Sequence, residues 1–247
     1  MKHMVATFLL MVLCLAAVTS IAQAADEQPA PPLDLYGDLY GDEVSEEPPT
    51  GDPLEVVNRG VFWFNDKMYF YLLKPVARGF RVVPEPARVG LGNMLDNIKS
   101  PIRAANSLLQ LKFKDCGTEL GRLVINSTLG IFGFYDAADT IWSIKQKDED
   151  FGQTLGYYGV EEGFYLVLPF FGSSTLRDGL SLFPDMYVDP VFWTLRQEAA
   201  WGVKGTDVVN RISLDKDTYE SIVEEQLDPY LFVRDAYLQN RAAHVEE

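Results

Sequence analysis

Residues 151 to 178 read Phe151-Gly-Gln-Thr-Leu-Gly-Tyr-Tyr-Gly-Val-Glu-Glu-Gly-Phe-Tyr-Leu-Val-Leu-Pro-Phe-Phe-Gly-Ser-Ser-Thr-Leu-Arg-Asp178. Glycines stand at 152, 156, 159, 163 and 172, with aromatic residues between them. Glycine reaches backbone conformations and close approaches closed to other residues, and Tyr and Phe bring large apolar area. From Phe164 to Pro169 the chain is almost wholly apolar, and Pro169 ends the run. The run is too short to span a bilayer and makes a poor surface loop. It is expected to form a hairpin or looped segment buried against protein or lipid; a glycine-rich turn beside a buried strand fits the same pattern. Thr175-Leu-Arg-Asp178 has the spacing of a helix capping box, so a helix is expected to open there.

The flanking sequence is patterned mostly as helix. Residues 54 to 73 are apolar nearly all round, broken by Asn65-Asp66-Lys67. A helix of that kind lies in a deep core or against lipid, and its aromatic excess suits a membrane–water interface. Residues 89 to 113 suggest two short helices meeting at Ser100-Pro101. In 117 to 129, Leu120, Leu123 and Val124 share a helical face. Residues 185 to 203 carry Tyr187, Val191, Phe192, Trp193, Leu195 and Trp201 in an interfacial or bundle-facing pattern. Val208, Ile212, Tyr219, Ile222 and Val223 form one stripe over 206 to 225, with acids opposite. Asp228-Pro229 is a good helix start, followed by Tyr230, Val233 and Tyr237 as inward residues. The fold class expected is all-α, with one Gly/aromatic hairpin near the middle.

At the front, Lys2 precedes an apolar stretch from Met4 to Ala22 and then Ala22-Gln23-Ala24. A basic start, apolar middle and small-x-small exit describe a secretory signal peptide over 1–24, with a retained anchor as the alternative. Residues 25–52 are acidic and rich in Pro and Gly, with the tandem Asp34-Leu-Tyr-Gly-Asp38-Leu-Tyr-Gly-Asp42. They read as a disordered, extended tether, leaving 53–247 as one domain with a sizeable core. Without residues 1–24, Cys116 is the only cysteine, so no intramolecular disulfide can form; it reads as a small buried residue.

The whole chain has a net charge of −15. Residues 53–125 carry eleven bases against six acids, a modest excess that is not the concentrated basic surface of a nucleic-acid binder. Only two histidines occur, His3 and His244, so Ser-His or Cys-His catalysis and a His- or Cys-based zinc site are not expected. No phosphate-binding loop or dinucleotide fingerprint occurs. Asp148-Glu-Asp150 offers carboxylates, but a run of this kind is more often a solvated turn than a metal site. The chain is therefore expected to be no enzyme, with no cofactor and no metal. No segment of 53–247 has the uninterrupted apolar length of a spanning helix.

The sequence resembles the VacJ/MlaA family of outer-membrane lipid-asymmetry proteins. The resemblance is carried by Phe151-Gly152-x-Thr154-Leu155-Gly156-x-x-Gly159, Leu168-Pro169 and Gly172-x-x-Thr175-Leu176-Arg177-Asp178. Upstream it includes Asp52-Pro-Leu-Glu-x-x-Asn58-Arg59, Phe64-Asn65, Val83-Pro-x-Pro86-x-Arg88-x-Gly90-Leu91-x-Asn93, Arg122-x-x-x-Asn126-x-Thr128-Leu129-Gly130 and Gly133-x-x-Asp136. Downstream it ends with Asp228-Pro-Tyr230-x-x-x-Arg234-x-Ala236-Tyr237. Family members are usually lipoproteins, whereas Cys14 here follows Leu13 inside the apolar run, so no lipid anchor is expected.

The resemblance implies a compact ring of amphipathic, interfacial helices at the periplasmic side of the outer membrane of an exported protein. It implies removal of phospholipid misplaced in the outer leaflet and transfer to a periplasmic carrier that feeds an inner-membrane ABC transporter, with an outer-membrane porin as a further partner. In that frame Phe164, Tyr165, Leu166, Val167, Leu168, Pro169, Phe170 and Phe171 border or gate the lipid path, and Gly156, Gly159, Gly163 and Gly172 let the hairpin turn and move. Asn58, Arg59 and Asn65 are polar residues in an apolar setting. They either face a channel or cap and pack helices through hydrogen bonds. The alternative function is a soluble periplasmic lipid-binding or porin-docking adaptor.

Overall fold

The computed structural model describes residues 52–215 and 217–246. The signal peptide, the tandem repeat, the tether up to residue 51 and Cys14 with its anchor reading lie outside them. The chain forms α1 (Glu55–Met68), a π-helical turn (Tyr69–Leu73), α2 (Lys74–Phe80), α3 (Glu85–Leu109), α4 (Phe113–Thr128), α5 (Ala137–Trp142) and α6 (Phe151–Tyr157). An antiparallel hairpin of β1 (Tyr165–Leu168) and β2 (Gly172–Thr175) follows. Then come α7 (Leu176–Val188), α8 (Pro190–Thr194), α9 (Gln197–Leu214), α10 (Thr218–Glu225) and α11 (Pro229–Glu246). Helices with one central hairpin are the fold class the sequence predicts.

Short-range chemistry sets many of these boundaries. Asp136, Asp150, Thr175 and Asp189 each accept a backbone N–H one turn or less ahead, at 3.1, 2.9, 3.2 and 2.9 Å. Asp228 accepts from Tyr230 and Leu231 at 3.1 and 3.2 Å. Each such cap stabilises its helix by about 1 kcal/mol. Around the domain α1 packs on β1, the hairpin on α7, α7 on α3, α3 on α9, and α9 on α2. The π-helical turn joins α2 back to α1, so the contacts close on themselves.

Two expectations are corrected here. Ser100-Pro101 does not divide two helices, because α3 runs through Pro101. Arg103 reaches back to this weakened turn and donates to the Asp96 carbonyl at 3.1 Å and the Ser100 hydroxyl at 2.9 Å. The stripe over 206–225 is broken at Asp217, which is left-handed (φ 61°), and α10 restarts with Asp215 accepting from the Thr218 N–H at 2.9 Å.

The polarity of the helices is the larger finding. On α4 the buried residues are Glu119, Arg122 and Asn126, while Leu120 and Val124 are 49% and 61% exposed. The same inversion holds on α9, which buries Asp207, Asn210 and Ser213 and exposes Val208. Among the described residues, 26 polar or charged residues are buried against 11 apolar ones, and 36 large apolar side chains are exposed. A water-soluble domain partitions the other way. Apolar burial is concentrated where the hairpin meets α1 and α11, around Tyr165, Val167, Tyr230 and Leu238.

Candidate functional site

The hairpin turns at Phe170 and Gly172, both left-handed (φ 70° and 84°). Leu168 pairs with Gly172 and Tyr165 with Thr175. Tyr165 and Val167 point into the protein at 1% and 5% exposure, while Phe170 and Phe171 at the tip are 68% and 57% exposed. β1 has a second edge, and unpaired strand edges must be covered. Two asparagines of α1, seven residues apart, cover it. The Asn58 amide donates to the Tyr165 carbonyl at 3.0 Å and accepts from the Val167 N–H at 2.9 Å. The Asn65 amide donates to the Leu168 carbonyl at 3.0 Å and accepts from the Phe170 N–H at 3.0 Å. Each side chain thus stands in for one peptide group of a third strand.

Arg59 lies beside this edge. Its guanidinium forks onto Asp228 at 3.2 and 2.7 Å and meets Glu55 at 2.7 Å, and it sits 4.5 Å from the Tyr230 ring centroid. Asp52, at the end of the expected tether, is tied into the same corner: it accepts from the Leu54 N–H at 3.0 Å and the Asn58 amide at 2.9 Å, and from the Tyr230 hydroxyl.

Of the glycines, Gly159, Gly163 and Gly172 are left-handed. Gly156 sits within α6, where a Cβ would come 2.7 Å from Val245 Cγ1; there glycine provides close packing rather than a turn. Gly152 is tighter still, since a Cβ there would collide with the Arg241 guanidinium and Asp178 Oδ1.

That contact opens onto a buried charge lattice. Arg241 of α11 forks onto Asp150 with two bonds of 2.6 Å and onto Asp178 at 2.8 and 2.9 Å. Asp178 also accepts from Arg177 at 3.0 Å and from the Tyr237 hydroxyl at 2.7 Å. Burial alone would raise the Asp178 carboxyl; Arg241, Tyr237 and Arg177 together hold it below the usual carboxylate range. Burial and the neighbouring Asp178 keep Tyr237 protonated well past its ordinary value. Half of the expected capping box is present: the Thr175 hydroxyl accepts the Asp178 N–H, while the Asp178 carboxylate, instead of capping in return, serves Arg177, Tyr237 and Arg241. The run 148–150 does not form the solvated turn expected: Glu149 is buried, bonded to Gln110 at 2.7 Å and Lys112 at 2.8 Å. A carboxylate is retained in the interior when such donors offset its desolvation.

A second polar cluster joins α3 to α4. Arg103 meets the fully buried Glu119 at 2.6 Å, and Arg122 and Asn126 hold Asp136 at 2.8 and 3.0 Å. Between them lies a polar cavity of about 40 Å³ lined by Asn97, Ser100, Arg103, Arg122 and Asp136 among others. Asn97 Oδ1 and Arg122 Nε are buried without a hydrogen-bond partner in the protein, Nε lying 3.9 Å from Glu119 Oε1. One donor and one acceptor at such a cavity suit a bridging water.

Asp185 differs from these acids because no cation bonds it. It accepts from Asn106 at 2.9 Å and from the Phe151 N–H at 3.2 and 3.1 Å, and burial pushes its carboxyl up to about 6. A raised carboxylate pKa stabilises the fold most below the unfolded value and loses that contribution as pH rises through the folded value. Between pH 4 and 6 this group therefore destabilises the protein as pH increases, by up to roughly 3 kcal/mol for a two-unit shift. Asp185→Asn keeps an acceptor and removes the charge. It is expected to flatten the stability profile over that window and raise the melting temperature at pH 7, measured by thermal unfolding across pH.

A family model described as MlaA lipoprotein matches residues 50–244. The chain belongs to the MlaA lipoprotein family. The intermembrane phospholipid transport system lipoprotein MlaA of Escherichia coli (strain K12) is 36% identical over 194 residues, 76% of each chain. Its namesake in Haemophilus influenzae is 30% identical over 210 residues, 83% of this chain and 84% of that one. An uncharacterized protein of Rickettsia felis is 30% identical over 197 residues, 79% of this chain and 78% of that one. A solved structure from work on the structural basis for maintenance of bacterial outer membrane lipid asymmetry matches with a TM-score of 0.66 at 33% identity, covering 79% of this chain and 99% of that one.

Many residues that carry the MlaA resemblance are those just described: Asp52, Asn58, Asn65, Arg122, Asn126, Asp136, Gly152, Thr175, Asp178 and Tyr237. Sequence reasoning missed Arg103, Glu119, Asp185 and Arg241, and read Glu149 as part of a solvated turn. On α4 a signal existed, since Glu119, Arg122 and Asn126 recur at helical spacing. For Arg241 there was none, because its partners lie 63 and 91 residues away.

Proposed function

We propose that this MlaA-family protein is embedded at the periplasmic side of the outer membrane, removes misplaced phospholipid from the outer leaflet and passes it to a periplasmic lipid carrier. The observation that carries this reading is the inverted polarity of the domain. Exposed residues such as Trp63, Tyr71, Val124, Ile131, Phe132 and Phe183 have no reason to face water and good reason to face acyl chains. The buried Asn, Arg and carboxylate side chains support a polar route for a phosphate headgroup, whose unaided movement through hydrocarbon is very costly.

The outer face of α4 fits lipid contact in its polar atoms too. The Thr118 and Thr128 hydroxyls return to the Lys114 and Val124 carbonyls at 2.9 and 2.7 Å, so neither side chain asks for water. No helix among the described residues is long and apolar enough to cross a membrane, which favours helices lying within the bilayer margin. The hairpin, with its exposed Phe170 and Phe171, borders the path and gates it. A porin neighbour and an inner-membrane ABC transporter beyond the carrier complete the reading. The soluble adaptor is disfavoured by the same exposed apolar surface.

Surface-accessible labelling of phospholipid in cells tests this. Loss of the protein is expected to raise outer-leaflet phospholipid, and re-expression to reverse it. Unchanged labelling on loss would refute the transport role.

A further inference from the structure

A cleft of about 230 Å³ opens where the hairpin faces α1, the π-helical turn, α10 and α11. Its apolar walls come from Phe62, Met68, Leu73, Val167 and Val233, with Phe170 and Phe171 also lining it. Four polar side chains line it too, and each already has a partner in the protein. Asn65 is spent on the Leu168 and Phe170 peptides at 3.0 Å each. The Tyr69 hydroxyl donates to Glu220 at 3.0 Å and that of Tyr219 to Asp66 at 3.2 Å. Ser173 accepts from the Tyr165 hydroxyl at 2.8 Å.

A water in a cavity needs two to four polar partners, and a smaller engineered apolar cavity of about 150 Å³ stays dry and takes up benzene. With its polar groups engaged elsewhere, this cleft therefore recognises hydrocarbon and offers little to a headgroup. Its wall also contains a local irregularity: Tyr69 and Leu73, the first and last residues of the π-helical turn, both line it. Single π-helical turns recur at functional sites. The cleft is continuous at its mouth with exposed apolar surface, because Phe170 and Phe171 belong to both.

We infer that this cleft is an acyl-chain subsite, holding a segment of one phospholipid tail between the hairpin and the π-helical turn while the headgroup stays outside it. The inference rests on the phospholipid reading above and adds where a tail is held. In it, Asn65 is a positioning residue: its bonds to the Leu168 and Phe170 peptides fix the hairpin tip to α1 and hold Phe170 at the cleft.

The test uses the full chain in phospholipid vesicles containing a small fraction of phosphatidylcholine with a diazirine near the methyl end of one tail. Photolysis and peptide mapping are expected to place the label on Met68, Leu73 or Val233. Val233→Trp fills the cleft and is expected to cut that labelling by about tenfold, the equivalent of excluding about two methylenes from apolar burial. Met68→Trp serves the same purpose from α1 if Val233→Trp does not fold. Labelling absent from these residues, or unchanged in a folded filling variant, would overturn the subsite. Outer-leaflet phospholipid measured in parallel separates the two readings. Normal clearance by a wild-type chain that shows no cleft labelling removes the subsite alone, whereas cleft labelling without clearance removes the transport role and leaves a tail-binding cleft.

Discussion

Replacing Arg241 with methionine is expected to cost about 3 to 5 kcal/mol of stability, the range for removing one partner of a buried ion pair. Methionine keeps an unbranched apolar stem and deletes four hydrogen bonds, two to Asp150 and two to Asp178. Asp150 is the less affected because its side chain is 37% exposed, whereas that of Asp178 is 8% exposed and would keep only Arg177, Tyr237 and its capped turn. For a domain of this size each kcal/mol moves the melting temperature by roughly 2 to 4 °C, so a fall of about 10 °C is expected in thermal unfolding. The pH dependence identifies the cause. Asp178 titrates below the ordinary carboxylate range in the native protein, so its contribution is present above the unfolded pKa and lost as pH falls. Without Arg241 its carboxyl moves up, and the difference between variant and native protein should shrink as pH is lowered toward 4. A deficit constant with pH would point to lost packing instead.

The second large effect is expected at the hairpin edge. Asn58→Ala leaves the Val167 N–H and the Tyr165 carbonyl without their α1 partner in a buried setting, and each such orphan costs about 1 to 3 kcal/mol. Asn65→Ala should cost less, since its bond to the Phe170 N–H is exposed. Hydrogen exchange distinguishes release of the hairpin from general loosening. Exchange at the Val167 amide is expected to rise by about a hundredfold in Asn58→Ala, the equivalent of about 2.7 kcal/mol, while amides of α3 keep most of their protection. Equal acceleration throughout would mean that Asn58 stabilises the whole domain rather than the hairpin.

What could be read in advance divides along physical lines. The hairpin, the Thr175 cap and the start of α11 follow from a few neighbouring residues, whose turn and capping chemistry is local. The apolar stripe on α4 was also legible, but periodicity reports only that Leu120 and Val124 share a face, not what lies outside it. In a domain with a polar interior that face turns outward, so the natural inward assignment fails. Pro101 misled because Arg103 supports the turn it weakens. Glu149, on a run that looks like a solvated turn, is buried because Gln110 and Lys112 meet it from the turn after α3. The asparagines of α1 were legible as polar residues in an apolar setting, and structure was needed to reveal that they hold a strand edge.

The central claim, that the exposed apolar surface faces acyl chains, is tested most directly by depth-sensitive fluorescence quenching in vesicles. Single probes would be attached through Val124→Cys, Phe132→Cys and, as a water-facing control, Glu198→Cys, whose native side chain is 80% exposed beside Arg196, all with Cys116→Ser. Lipids brominated along their tails are expected to quench the probes at 124 and 132 strongly and the one at 198 weakly, with aqueous iodide giving the reverse order. If iodide reaches 124 and 132 as freely as 198 while brominated tails leave them unquenched, the apolar face does not lie in lipid, and the embedded reading is contradicted.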